Sequence, residues 1–521
     1  MSTSAIVQQF PELSRELAFF DLKLERKKNR LTVAGTEGNL RDLLISLLYK
    51  RLSSRIYDLD VLSQNCGNID ACVIQQRLHI SLEKYGYQAH GIYGMNLNLA
   101  LTVSFSRMIK GFRSDCFAHN VCKDTVEYRI AEDFCNAVAD WYSIGLCQDD
   151  YDYVTVLLIG QVKPKMGWRA VPGEDGSKFL VETREVLNCA FEYLGLRIDV
   201  EDILEEFSDY AYFMMKRCRI KNYAANQLAE NLRVNCPFLY DVAVRIAFEY
   251  KRRHSICLDD AEIALLTVNI GKVIEKYRNQ RNRLSALLIC EVYNDFVKEG
   301  LVSQILKKYS TSVAEVNVSS FYSKPKERQP DIVITTIPKV LPGKNVVNIT
   351  PLFLLTDELK LDEKIRQILE EKKKIHLSSS LRRYMKKMQF LKTIDCMTEK
   401  EAIELMVDYM EVSDSQKLVS DFLKREESSS TCLELTFAVP HVVNENENET
   451  SCCILLGNSP ILWKDVPIKI VILFSVARSD YLSFSEVYDS LVSYLKNPEN
   501  RSRLLNMESA DQLCSDIIRQ M

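Results

Sequence analysis

The sequence predicts a multidomain chain: tandem all-α helical bundles followed by two α/β domains. Three observations predict it. At 521 residues the chain is too long to fold around one core. From Arg41 to about Gln280, apolar residues recur at i, i+3, i+4 spacing, as in Leu43, Leu44, Leu47 and Leu48, in Leu97, Leu101, Phe105 and Met108, and in Ile246 and Tyr250. From Leu284 onward, short apolar runs alternate with helical stretches, the pattern of a parallel sheet with crossover helices.

Composition excludes several classes of function. Apolar content of 47% with 26% charged residues is ordinary for a folded protein. A formal charge of −4 exerts no global pull toward nucleic acid or an anionic membrane, so any DNA contact needs a local basic patch. The 16 cysteines are scattered, include the adjacent pair Cys452-Cys453, and form no C-x-x-C. Free thiols in a reducing compartment follow. The longest apolar runs, such as Ile470 to Ala477, fall short of the ~20 residues of a membrane span, and the N-terminus lacks a basic-then-apolar signal pattern. A cytoplasmic protein with no membrane segment is expected. There is no G-x-G-x-x-G, no Walker loop and no G-x-S-x-G elbow. His79, His90, His119, His254 and His376 lack metal-ligand spacing. The expectation is therefore no cofactor, no metal site and no enzyme activity.

Taken in order, residues 1–38 hold a short helical stretch, Ser2 to Leu17, interrupted near Pro11. Leu22 to Arg26 and Leu31 to Gly35 then alternate apolar and polar residues about Lys28-Asn29, which predicts a β-hairpin. A helix and hairpin resemble the tail of a winged helix-turn-helix, with too few residues upstream for the rest of the motif. In that reading Arg26, Lys27, Lys28 and Arg30 sit in the wing turn and contact the DNA backbone. A wing alone positions a protein on DNA but reads no sequence. Residues 39–90 form a helical linker region, with Asn39 a candidate cap.

Two later segments echo each other. Leu97 to Arg107, Glu127 to Ala131 and Asp149 to Val154 recur in the same order as Ser208 to Arg217, Tyr240 to Ala243 and Asp259 to Ala264. The duplicated units, 91–170 and 176–280, resemble the tandem regulation domains (PRDs) of sugar-operon activators and antiterminators, which dimerise. The family carries two acceptor histidines in each unit. Here the four positions are Ala100, Leu157, Tyr210 and Asn269, so the resemblance implies a retained scaffold without that chemistry.

Residues 284–372 change period. Leu284 to Ile289, Ile332 to Thr336 and Val346 to Thr350 read as strands, with a helix at Leu301 to Tyr309. With Cys290 after the first strand and Asp331-Ile-Val-Ile-Thr-Thr336, the segment resembles an enzyme IIB domain of the galactitol type, which makes Cys290 a second, weaker phospho-acceptor. The loop that follows carries Glu291 and Asp295 and meets its first glycine only at Gly300, an acidic composition for an anion cradle. A buried structural cysteine is the other reading. Lys372 to Lys374, Arg382, Arg383, Lys386 and Lys387 then read as the solvated face of a linker helix, with contact to a phosphate backbone as the other reading.

The last segment, 388–521, holds the sharpest motif. Arg425-Glu-Glu-Ser-Ser-Ser-Thr431 followed by Phe437-Ala-Val-Pro-His441 reads as a helix end, a polar turn and a short strand that delivers a histidine to a surface. It resembles the phosphorylation site of mannitol/fructose-class enzyme IIA domains of the bacterial sugar phosphotransferase system. The resemblance implies that His441 accepts phosphate from HPr at Nε2, giving a tele-phosphohistidine, with Arg425, Ser430 and Thr431 as the phosphate pocket. The family's second histidine, on a helix after the Leu473-Phe-Ser-Val-Ala477 strand, is Phe484 here. The bland alternative is a histidine kept by the fold and never phosphorylated.

The order of modules resembles the mannitol- and lichenan-operon class of transcriptional activators. It implies a regulator of carbohydrate-utilisation genes, coupled to the phosphotransferase system and partnered by HPr, EIIB-type proteins, DNA and a second copy of itself. A DNA-binding-deficient interaction scaffold and a phosphocarrier-like protein are the alternatives.

Overall fold

The structure, a computed structural model, describes residues 10–520 except 19, 28–29, 53–57, 68, 90–91, 114–122, 172–175, 221–227, 291–294, 320–329, 338–344 and 394. The chain divides into two compact units. One comprises Met1–Val186, Ile203–Ala229 and Ala247–Leu266; the other comprises Leu187–Asp202, Glu230–Ile246 and Thr267–Met521.

The first unit opens with helix α1 (Phe10–Ala18) and the hairpin β1 (Lys23–Lys27) and β2 (Arg30–Ala34). Pro11 lies in the first turn of α1, where a missing N–H costs nothing; the earlier half of the expected Ser2–Leu17 stretch lies outside the described residues. Lys23 pairs with Ala34 and Lys27 with Arg30, the register expected of a turn at Lys28-Asn29. Lys28 lies outside the described residues; of Arg26, Lys27 and Arg30 only the backbone is described.

Helices α2 (Glu37–Leu52), α3 (Leu59–Cys66), α4 (Ala71–Lys84), α5 (Ile92–Ile109), α6 (Val126–Tyr142) and α7 (Gln148–Leu158) share one apolar core. Asp58, Asp70 and Thr125 cap α3, α4 and α6 through their side-chain oxygens. Between these helices, the two-residue strands β3 (Tyr87–Gln88) and β4 (Lys163–Pro164) pair antiparallel. The duplicated order continues through α8 (Gly176–Tyr193), α9 (Leu204–Arg219), α10 (Leu228–Asn235), α11 (Pro237–His254) and α12 (Asp260–Arg281); the division between units falls within α8, α10, α11 and α12.

The two arginines matched by the duplication are both held in carboxylate forks. Arg107 on α5 grips Glu37 of α2 through Nε (2.8 Å) and Nη2 (2.6 Å). Arg217 on α9 grips Glu262 of α12 through Nε (2.7 Å) and Nη2 (2.8 Å), and its Nη1 donates to Gly160 O at 2.7 Å. Gly160 has φ +77°, and a Cβ there would lie 2.4 Å from Arg217 Cγ and 2.9 Å from both Arg217 N and Phe213 O. Two of those atoms are backbone and cannot step aside. Gly160→Ala should therefore cost about 1–3 kcal/mol, read as an earlier urea transition of Trp168 fluorescence, since Trp168 packs on Tyr212 of the same helix.

In the second unit, β5 (Leu284–Ile289), α13 (Asp295–Tyr309), β6 (Val313–Ser319), β7 (Ile332–Thr335) and β8 (Val346–Asn348) form a four-stranded parallel sheet in the order β6-β5-β7-β8. β6 is a strand the periodicity reading above omits. The sheet is sealed by Leu361, Ile365 and Ile368 of α14 (Leu355–Met385), a helix of 31 residues. The basic stretch Lys372–Arg383 belongs to this one helix rather than to a separate connector, and two of its cations are paired: Lys372 with Asp331 (2.6 Å) and Arg383 with Asp480 (2.9 Å).

The chain ends in a seven-stranded mixed sheet with helices around it. Its elements are β9 (Gln389–Thr393), β10 (Met397–Thr398), α15 (Glu399–Asp408), α16 (Ser415–Ser428), β11 (Cys432–Leu433), β12 (Phe437–Ala438), β13 (His441–Asn444), β14 (Ser451–Trp463), β15 (Val466–Ala477), α17 (Tyr481–Lys496), α18 (Pro498–Leu505) and α19 (Ala510–Gln520). Thr398 and Glu401 close a reciprocal capping box at the start of α15. β14 and β15 make the long antiparallel centre, apolar on both faces and buried for most of their length.

Candidate functional site

His441 is placed by sheet register. β12 and β13 run parallel along the same edge of β15, with Phe437 opposite Ile470 and His441 opposite Phe474. Val439-Pro440 joins them, and Pro440, which has no N–H to give, interrupts the ladder while its carbonyl accepts Phe474 N–H at 2.9 Å. The histidine thus opens a new strand instead of closing the previous one.

Both ring nitrogens face acceptors. Nδ1 lies 2.9 Å from Val439 O, and Nε2 lies 3.0 Å from Oδ1 of Asp241. The Nε2 contact has ion-pair distance without the alignment of a straight hydrogen bond. Asp241 is on α11, in the Glu230–Ile246 segment that belongs to the same unit as His441.

Two further donors meet that carboxylate. Arg425, in the last turn of α16, reaches Oδ1 with Nη2 at 2.8 Å and Nε at 3.1 Å, and its Nη1 donates to Ser429 O at 2.8 Å. Tyr481, the first residue of α17, donates its hydroxyl to Oδ2 at 2.6 Å. Burial pushes the Asp241 carboxyl up, but the charges of His441 and Arg425 and the Tyr481 hydroxyl outweigh it and hold it well below the usual carboxylate range. Burial and the same carboxylate push the Tyr481 hydroxyl far up, so it stays a donor. Tyr488 and Phe484 complete the walls, with ring centroids 4.5 Å and 5.4 Å from the imidazole. The position where a second histidine stands in the resembling domains is therefore an aromatic wall.

Two family matches coincide with these elements. Residues 383–520 match the type 2 EIIA family of the phosphoenolpyruvate-dependent sugar phosphotransferase system, and residues 184–273 match the PRD domain family. The chain carries a PRD domain and a type 2 EIIA domain. It is also similar to a protein of Bacillus subtilis (strain 168) described as a probable licABCH operon regulator, with 21% identity across 541 aligned positions that span 100% of this chain and 81% of that protein. Among solved structures it is similar to the nitrogen regulatory protein IIA-Ntr from Neisseria meningitidis, at 17% identity and a TM-score of 0.23, over 26% of this chain and 94% of that one.

The EIIA domain departs from the sequence reading at three points. His441 is not delivered to a surface: it is 2% exposed, because the carboxylate of Asp241 and the aromatic rings cover it. Of the three pocket residues named from sequence, Arg425 is in the site. Thr431 instead gives its N–H and hydroxyl to Glu426, and Ser430 Oγ accepts Cys432 N–H at 3.2 Å. Asp241, Tyr481 and Tyr488, which do line the site, escaped the sequence reading.

Cys290 follows β5 and is 4% exposed in the core of the parallel sheet. Burial pushes its thiol up, with Lys298 pulling the other way. That is opposite to the lowered thiol a phosphocysteine uses, and it favours the packing role. Glu291 lies outside the described residues; Asp295 opens α13. All cysteines among the described residues are free thiols. Among the described residues no group of His, Cys, Asp and Glu is placed to hold a metal ion, and no helix is long and apolar enough to cross a membrane.

Proposed function

We propose that this protein is a transcriptional regulator of carbohydrate-utilisation genes, coupled to the sugar phosphotransferase system through its EIIA domain, with His441 Nε2 as the phospho-acceptor. The observation that carries the reading is the joint presence of a PRD and a type 2 EIIA domain on a chain that aligns end to end with a probable operon regulator. The neutral imidazole is a nucleophile near pH 7, and Arg425 beside it supplies the cation that an added phosphoryl group of about −1.5 to −2 charge needs. HPr or an EIIB-type protein is the donor. Segment 91–170 acts as a first PRD, supported by the Arg107–Glu37 fork that parallels Arg217–Glu262. Segment 284–372 is an EIIB-like domain whose parallel sheet supports the reading but whose Cys290 serves packing. The protein acts as a homodimer, and residues 1–38 supply what DNA contact there is.

Intact-mass analysis after incubation with phosphoenolpyruvate, enzyme I and HPr tests the acceptor. The wild type should gain one acid-labile phosphoryl group, His441→Ala none, and Cys290→Ala should behave as wild type. A wild type that stays unmodified on prolonged incubation, while HPr in the same tube is fully phosphorylated, overturns the assignment.

A further inference from the structure

We infer that Asp241 is an internal anion that plugs the His441 pocket, so that the docked state of helix α11 and the phosphorylated state of His441 exclude each other. This rests on the acceptor reading above for its second half only. The first half stands on geometry.

Asp241 is 8% exposed, and Arg425, Tyr481 and His441 all converge on its two oxygens. A guanidinium, an imidazole and a phenol around one carboxylate are the donors that would otherwise surround a phosphate or phosphoryl group. The seat is already taken. Neighbouring contacts hold α11 in place: Phe238 N–H donates to Asp489 Oδ1 at 3.2 Å, the Phe238 ring packs on Tyr481 at 5.6 Å, and Tyr240 OH lies 3.5 Å from Ser429 Oγ. From α8, Tyr193 OH reaches Val443 O at 3.2 Å.

Transfer from a phosphohistidine carrier breaks the donor's N–P bond as a P–N bond forms at His441 Nε2. His441 attacks with the Nε2 lone pair of its neutral ring; the net transfer moves one proton through solvent from the His441 ring to the donor imidazole, and nothing is oxidised or reduced. With Asp241 Oδ1 at 3.0 Å from Nε2, the phosphorus has no room. Asp241 must leave first, and the dianion then formed beside it repels its return. The phosphoryl group is thereby converted into release of α11, a helix that lies within the PRD match at 184–273.

The test uses the full chain and a reagent that needs no phosphorylation. Diethyl pyrocarbonate modifies accessible imidazole, and peptide mass spectrometry reads His441 alone. Wild type should be protected. In Asp241→Ala and Asp241→Asn, which remove the charge that Arg425 and His441 share, His441 should react about tenfold faster or more, the factor expected for losing one charge-assisted hydrogen-bonded group. Far-UV circular dichroism must match wild type, and Asp241→Asn, nearly unchanged in volume, guards against misfolding of the alanine variant. Equal protection in wild type and both folded variants overturns the plug. The same variants offered phosphorylated HPr should be labelled faster than wild type. If they open to the reagent yet never take phosphate, the acceptor reading fails and the plug stands.

Discussion

Arg217→Met should destabilise the first unit by about 3–5 kcal/mol, the cost of removing one partner from a buried ion pair. Arg217 is 1% exposed and Glu262 0%. Four hydrogen bonds end on the guanidinium: two to Glu262, one to Gly160 O, and one from Nη2 to Tyr93 OH at 3.2 Å. Methionine fills much of the volume but leaves the Glu262 carboxylate and the Gly160 carbonyl buried without those donors. Glu262→Gln should cost less, because the amide oxygen still accepts one guanidinium N–H. The decisive comparison is Arg217→Met with Glu262→Met together. Removing both charges removes the stranded one, so the double variant should be more stable than the sum of the single losses, and close to Arg217→Met alone or better. Urea transitions of Trp168 fluorescence, with Trp141 and Trp463 replaced by Phe, measure the two methionine singles, their double and Glu262→Gln. Additive losses would mean that the fork is held by its surroundings rather than by its own charges.

Much of the architecture was legible because it is periodic. The helical repeat from Arg41 onward, the hairpin about Lys28-Asn29, and the strands at Leu284 and Ile332 all follow from spacing and turn chemistry. Strand β6, Val313-Ala-Glu-Val-Asn-Val-Ser, alternates only from Glu315 onward, because an extra residue against β5 shifts its register after Val313 and blurs the period. The continuity of α14 was not legible. Its apolar residues form two clusters, Leu361, Ile365, Ile368 and then Leu377, Leu381, Tyr384, separated by charged residues, and only the first cluster joins the parallel-sheet core. A helix that serves two surroundings shows a broken stripe.

The site was half legible. His441 and Arg425 stand in one contiguous motif, so local sequence finds them. Asp241 lies 200 positions upstream, and nothing local links it to His441. Its one signal is an acid inside the apolar run Phe238 to Ala247, since an unpaired carboxylate is rarely buried there. Tyr481, Phe484 and Tyr488 share a helix face at i, i+3, i+7 and read as core, which they also are. Thr431 misled because a hydroxyl near an acceptor histidine suits a phosphate as well as it suits a neighbouring carboxylate.

That carboxylate, Glu426, should prove the most sensitive single position in the EIIA domain. Glu426→Ala is expected to cost about 3–5 kcal/mol, combining a cavity with stranded donors. Glu426 is 1% exposed and accepts Thr431 N–H at 3.0 Å, the Thr431 hydroxyl, and the Trp463 indole N–H at 3.0 Å. Each donor is buried, and alanine offers none of them an acceptor. Glu426→Gln should lose about 1–3 kcal/mol, because its amide presents N–H groups toward a cluster made of donors. Thr431→Val, which deletes only the hydroxyl, should lose about 1 kcal/mol. Trp463, whose indole is one of those donors, reports the transition directly by fluorescence. The ranking Ala, Gln, Val tests whether Glu426 acts as an acceptor hub. The hub in turn fixes the end of α16, where Arg425 is the preceding residue and points the other way, toward Asp241. A folded Glu426→Gln should therefore also raise pyrocarbonate labelling of His441, since an unfastened helix end lets Arg425 drift from the carboxylate it holds. Unchanged labelling in a destabilised variant would show that the plug at Asp241 is held by α11 alone.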